Sequence, residues 1–209
     1  MIPRSWFIWW QFAAMAGLNL LGLVRASILR KQGHRVFVVN YRQALTQHLR
    51  DAALVGFLLL LFVESAAEAF ALPYRPLPTA FYQVLVNETW LQLLGAFLMA
   101  GALLVYTVAI VSFGISWRIG IDAQAAGPLV TRGIFRWTRN PIYVALDLCA
   151  VGTFFICGSL VFLVLAVGLV VLFHDQIRRE EGFLAKRYGQ PYLDYCARTG
   201  RYLTWPGGG

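Results

Sequence analysis

Two short segments of this sequence carry the residue types that chemistry needs. The first, Arg136-Trp137-Thr138-Arg139-Asn140-Pro141-Ile142-Tyr143, leads into an apolar stretch. Pro141 suits the first turn of a helix, where a missing N–H leaves no bond unmade, and Asn140 is then the natural N-cap. A helix N-terminus presents free N–H groups and partial positive charge. With Arg136 and Arg139 beside it, this point is suited to a carboxylate or a phosphate. The second segment, His174-Asp175-Gln176-Ile177-Arg178-Arg179-Glu180-Glu181-Gly182-Phe183-Leu184, is followed by Tyr188-Gly189, Tyr192, Tyr195 and Arg201-Tyr202. On a helix, His174, Arg178 and Glu181 stand at i, i+4 and i+7 and share one face. Taken alone, that pattern is a solvated salt-bridge face.

Asp147 lies four residues after Tyr143, on the same helical face and about one turn deeper into the apolar stretch. Ionisable groups at such depth are costly and mark function by default. Two roles stay open for it: a carboxylate facing an active-site cavity, and a structural partner for an Arg or a neighbouring helix. Arg136 and Asp147 are the candidate catalytic residues. Glu64 and Glu68 form another i, i+4 pair, but they fall roughly 20–25 Å from the inner end of their helix and read as snorkelling groups or partners of Arg75 rather than as catalytic residues.

The elements that position these residues follow from composition. Hydrophobic residues make up 59% of the 209 and charged residues 13%, far from the soluble norm of about half and about a quarter. The apolar residues fall in runs comparable with the roughly 20 helical residues that cross a bilayer. Five helices are expected: Trp6–Val24, Ala52–Phe70, Trp90–Trp117, Ile142–Cys157 and Ser159–Phe173. The first lacks a cleavage-site pattern and reads as a retained helix. The last two are short and separated by Gly158-Ser159, a break signal, so they form a tight hairpin whose arms either extend beyond the apolar stretch or span only in part. The expected fold is all-α and polytopic, with a C-terminal hairpin and a cytoplasmic C-terminal helix.

Charge sets the orientation. Sixteen of the 18 Lys and Arg residues fall between helices one and two, between three and four, or after five. The positive-inside rule places those segments in the cytoplasm and, with five spans, the N-terminus outside; an even count would make the split less clean. The net charge of +8 is explained by topology and anionic lipid rather than by nucleic acid, since no nucleic-acid motif accompanies it. The basic and apolar mixture in 25–50 suits the inner leaflet. Trp6, Trp9, Trp10, Tyr74, Tyr82 and Trp90 form an outer aromatic belt. Cys149, Cys157 and Cys196 include no CxxC pair, and His34, His48 and His174 are scattered, so no metal is expected.

The C-terminal region, roughly 127–203, resembles the integral membrane methyltransferases grouped around isoprenylcysteine carboxyl methyltransferase and the phospholipid methyltransferases. The resemblance rests on Gly133-Ile134-Phe135 followed by Arg139-Asn140-Pro141-Ile142-Tyr143, which matches the family's Arg-His-Pro-x-Tyr element with Asn140 in the His position. It rests also on Glu180-Glu181-Gly182-Phe183-Leu184, which fits Glu-Glu-x-x-Leu in full, and on the Tyr188-Gly189, Tyr192 and Tyr195 tail. It implies a pocket for S-adenosylmethionine formed by Arg139, Asn140, Pro141, Tyr143, Glu180, Glu181 and Leu184, which His174 joins through the face it shares with Glu181. It implies methyl transfer to a membrane-embedded substrate, an isoprenylcysteine-like carboxylate or a phospholipid amine, at the cytoplasmic face. Residues 1–126 are then the helices that shape substrate access, 127–205 the cofactor region and 206–209 a tail. Two alternatives stay open: a nicotinamide-dependent reductase related to the sterol reductases, and a non-catalytic lipid-binding membrane protein.

Overall fold

The computed structural model describes residues 2–34, 45–73, 75–114 and 128–204. Every regular element among the described residues is helical. In chain order these are α1 (Arg4–Lys31), α2 (Leu45–Ala69), a 3-10 turn at Thr79–Tyr82, α3 (Thr89–Phe113), a second 3-10 turn at Gly133–Arg136, α4 (Pro141–Cys157), α5 (Leu160–Tyr188) and α6 (Gln190–Arg198). Of these, α1, α2, α3 and α5 are long and apolar enough to cross a membrane, and α4 is a shorter apolar helix. The chain is a polytopic, all-helical membrane protein.

The hairpin arms turn out unequal. At 17 residues, α4 is about 26 Å long, whereas α5 at 29 residues is about 44 Å, well beyond a hydrocarbon core of about 30 Å. The apolar run and the polar segment with Glu180 and Glu181 are thus one continuous helix. α1 likewise continues past Val24, so Arg25, Arg30 and Lys31 lie on its last turns rather than in a loop. Arg35, Arg42 and the apolar 36–39, Tyr74, Trp117 with Arg118, and 206–209 lie outside the described residues.

Small residues and buried polar groups set the packing. A Cβ on Gly95 would stand 2.7 Å from the Gly152 carbonyl, and one on Gly152 would stand 2.9 Å from that of Gly95. α3 and α4 therefore approach backbone to backbone, as small residues permit between membrane helices. Gln11, fully buried, donates to Ser65 at 2.9 Å and Thr153 at 3.2 Å, tying α1 to α2 and α4. Phe7, Met15, Met99, Phe162, Leu169 and Phe173 fill the shared core. Leu23, Leu59, Phe97, Leu104, Val111 and Val171 are exposed, the outward apolar surface a bilayer-facing helix needs.

The far end of the bundle is clamped. Gly158 sits at φ +72° between α4 and α5, and its carbonyl accepts from Leu85 at 2.7 Å and Val86 at 3.1 Å. A Cβ there would meet the Val86 carbonyl oxygen at 1.9 Å, so only glycine fits. Arg75 pairs with Glu68 at 3.0 Å, as expected, and lies 3.9 Å from the buried Glu64, which accepts from Tyr82 at 2.9 Å. This polar clamp accounts for both acids.

Candidate functional site

The opposite end brings the two sequence segments together. Arg139, immediately before α4, sends Nε and Nη2 to Glu181 Oε1 at 3.1 and 3.0 Å, and Nη1 to the carbonyls of Cys196 and Thr199 at 3.1 and 3.0 Å. One planar guanidinium thereby joins α4, α5 and the C-terminal end of α6, a division of labour that its fixed fork of donors allows. The two carbonyls belong to the end of α6, where cations are favoured. Asn140 is the N-cap residue by position, but its side chain makes no capping bond. Its Nδ2 donates instead to Glu181 Oε1 at 3.1 Å and to the Arg201 carbonyl at 3.2 Å. The carboxylate expected at this helix start is thus supplied from within the chain by Glu181.

Glu181 Oε2 accepts Nε and Nη2 of Arg201 at 2.9 and 2.7 Å. With both oxygens engaged by charged donors, Glu181 is a junction of three segments. The chain after α6 runs back along the approach to α4: Arg139 N–H donates to the Gly200 carbonyl at 3.0 Å and Thr204 N–H to that of Trp137 at 2.7 Å. Beneath it, Phe135, Tyr192 and Tyr195 form a small core with Leu184 packed against them. Tyr195 donates to the Phe135 carbonyl at 2.7 Å. Burial pushes the phenols of Tyr192 and Tyr195 well up from their ordinary range.

About one turn further along α4, Tyr143 donates to Glu180 Oε1 at 2.6 Å, and Gln176 adds a second donor to that oxygen at 2.9 Å. The Tyr143 ring packs on Phe173 with centroids 5.5 Å apart. His174 Nδ1 and the Tyr202 hydroxyl share a hydrogen bond of 2.7 Å. Asp147 Oδ1 is buried and has no hydrogen-bond partner. On the α2 side, Arg179 pairs with Asp51 at 3.1 Å and with Asp175 at 3.4 Å. A cleft of about 260 Å³ opens beside Arg139, lined also by Cys196, Thr199, Gly200, Leu203 and Thr204.

The expected residues therefore divide. Arg139, Asn140, Glu181, Tyr143 and Glu180 are joined by direct bonds, and Pro141 is buried as the first residue of α4. Leu184 belongs to the tyrosine core, and His174 turns to Tyr202 rather than to Glu181. Arg136 and Arg178 are exposed. Sequence reasoning gave no role to Gln176, Thr138 or Arg201. Thr138 Oγ1 accepts from Asn140 N–H at 3.1 Å and fixes the turn into α4. Arg201 stands 20 residues beyond its partner Glu181, a separation that no helical periodicity reveals.

The family model described as phospholipid methyltransferase matches residues 90–191, from the start of α3 into α6. By sequence, the chain is a relative of these methyltransferases. Among curated proteins it is 28% identical over 126 residues to the protein-S-isoprenylcysteine O-methyltransferase of Rattus norvegicus, covering 59% of this chain and 44% of that protein. It is 26% identical over 122 residues to protein-S-isoprenylcysteine O-methyltransferase B of Arabidopsis thaliana, covering 57% of this chain and 62% of that protein. The chain thus spans less than half the length of the rat relative. The region matched to the methyltransferase family contains Arg139, Tyr143, Asp147, Glu180 and Glu181 and stops short of Arg201 and Tyr202.

Proposed function

We propose that this protein uses S-adenosylmethionine to methylate a membrane-embedded amphiphile, an isoprenylcysteine-like carboxylate or a phospholipid amine, at the cytoplasmic face of the bilayer. The observation that carries this reading is the bonding of 139–143 to Glu180 and Glu181 across the hairpin, in a chain related to membrane methyltransferases. The donor set suits the cofactor. Asp147 Oδ1 and Gln176 Oε1 are buried acceptors without partners, and S-adenosylmethionine brings an ammonium, hydroxyls and a sulfonium. Arg139 offers a guanidinium beside a cleft where a carboxylate is welcome.

When bound, the cofactor supplies a methyl group made electrophilic by its positive sulfur. The chain supplies placement. Glu181, Arg139 and Arg201 hold α4, α5 and the C-terminal segment at fixed spacing, and Tyr143 with Phe173 gives an aromatic wall at the membrane boundary. Holding a nucleophile at about 3–3.5 Å from the atom it attacks accounts for much of the rate gain in such transfers. The basic residues around this end favour the cytoplasmic side, where the cofactor is made. α1 to α3 then shape the lateral approach of the lipid, and 127–205 is the cofactor region.

Titration of the purified protein with S-adenosylmethionine, S-adenosylhomocysteine and NADPH tests the reading. The first two are expected to bind and NADPH is not. Binding of NADPH alone would replace a methyltransferase with a reductase.

A further inference from the structure

Two guanidinium groups meet at Glu181, and they differ in the donors they have left. A guanidinium carries five N–H groups in a fixed fork. Arg139 uses four of them: Nε and one Nη2 hydrogen on Glu181 Oε1, and both Nη1 hydrogens on the carbonyls of Cys196 and Thr199. Its side chain is also the more enclosed, 12% exposed against 36% for Arg201. Arg139 lends the neighbouring cleft its charge, but a single N–H cannot grip a carboxylate at two points.

Arg201 uses two. Its Nε and Nη2 approach Glu181 Oε2 side-on at 2.9 and 2.7 Å, and its guanidinium makes no other bond among the described residues. The outer edge of the fork, Nη1 with the second Nη2 hydrogen, is therefore free and is turned away from Glu181. That edge is held in place from both sides. Glu181 fixes the guanidinium, while the Arg201 carbonyl accepts from Thr138 Oγ1 and Asn140 Nδ2, each at 3.2 Å. Tyr202, next in the chain, is tied to His174 at 2.7 Å. An arginine tied by backbone and side chain loses little freedom when it takes a ligand. Charge points the same way: Arg139, Arg201 and Glu181 together carry one surplus positive charge, and Glu180 is turned to Tyr143 and Gln176.

We propose that Arg201, through the free edge of its guanidinium, takes the carboxylate of S-adenosylmethionine in a two-point grip. This rests on the cofactor reading above. Arg201 is then a binding residue, and Arg139 is a positioning residue that keeps α4, α5 and the end of α6 in register for it. The anchor lies outside the region matched to the methyltransferase family, which ends at residue 191.

The test is a cycle of two ligands and three side chains, read by calorimetry on the full chain in detergent. The ligands are S-adenosylmethionine and its decarboxylated form, which keeps the sulfonium, the amine and the nucleoside and lacks the carboxylate. The wild-type chain is expected to prefer the carboxylated ligand by about tenfold to a hundredfold. Arg201→Gln should reduce that preference to within about threefold. Any affinity it loses for both ligands alike measures the tie to Glu181, so the ratio alone reads the grip. Arg201→Lys, which keeps the charge but not the fork, should show a preference between the two, and it carries the test if the glutamine variant does not fold. Arg139→Lys should weaken both ligands and keep the ratio. A wild-type chain without the preference, a ratio unchanged in Arg201→Gln, or a full ratio in Arg201→Lys overturns the inference while leaving the cofactor reading in place. Failure of the wild-type chain to bind either ligand overturns that reading first.

Discussion

Arg201 gives two donors, Nε and Nη2, to the single oxygen Oε2 of Glu181, at 2.9 and 2.7 Å. The bond fastens a segment outside the matched family region to a residue inside it. Since Glu181 also holds Arg139 and Asn140, loss of its charge should be felt in three segments at once. Glu181→Gln is expected to weaken S-adenosylmethionine binding by roughly tenfold or more, the cost of a charge-assisted hydrogen bond. It should also expose the chain after α6 to protease. Unchanged cofactor affinity and an unchanged digestion pattern would remove Glu181 from this role.

Arg139 is expected to resist conservative replacement. Its guanidinium reaches Glu181, Cys196 and Thr199 in different directions, and a single ammonium cannot reproduce that fork. Arg139→Lys and Arg139→Ala should both reduce cofactor affinity, by about tenfold to a hundredfold. Calorimetry on the two variants checks this, and full retention by the lysine variant would show that charge alone suffices.

The hairpin turn yields a stability prediction remote from the candidate site. Gly158→Ala introduces a Cβ at positive φ and against the Val86 carbonyl. The expected loss is about 2–4 kcal/mol, combining left-handed backbone strain with overpacking. Thermal unfolding in detergent reads it, while cofactor affinity of the folded fraction should be unaltered.

Alkaline titration should separate two classes of tyrosine. In the folded state burial raises the phenols of Tyr192 and Tyr195, so folding favours their neutral forms. The stability they contribute is fully present below the ordinary tyrosine pKa of about 10 and is lost as pH rises above it toward the folded values. Phenolate absorbance should therefore show exposed tyrosines titrating first and a later phase coincident with loss of structure. Tyr192→Phe and Tyr195→Phe should diminish that later phase; an unchanged titration would mean that these two phenols are not protected.

The inferred orientation is open to labelling. With Cys196→Ser as background, Arg187→Cys should react with an impermeant thiol reagent from the cytoplasmic side and Gln83→Cys from the opposite side. Both positions are exposed, and Cys149 and Cys157 are buried. Reversed accessibility would invert the topology.

The sequence by itself determined the class of fold, because apolar runs and their length are local properties that a bilayer reads directly. It also located Arg139, Asn140, Pro141, Tyr143, Glu180 and Glu181, because the two motifs are contiguous in the chain. The Gly158 turn was legible for the same reason. Tertiary structure decided what those residues hold. Asn140 has the position of an N-cap but donates through Nδ2 to Glu181, since a charged acceptor brought in by α5 orients its amide. The polar segment continues α5 because its helix is supported by packing rather than by apolar periodicity alone. The bond between His174 and Tyr202, and the closure of Arg201 on Glu181, depend on the chain after α6 folding back along the approach to α4. A pairing across such sequence separation is fixed by packing in three dimensions, and no local pattern encodes it.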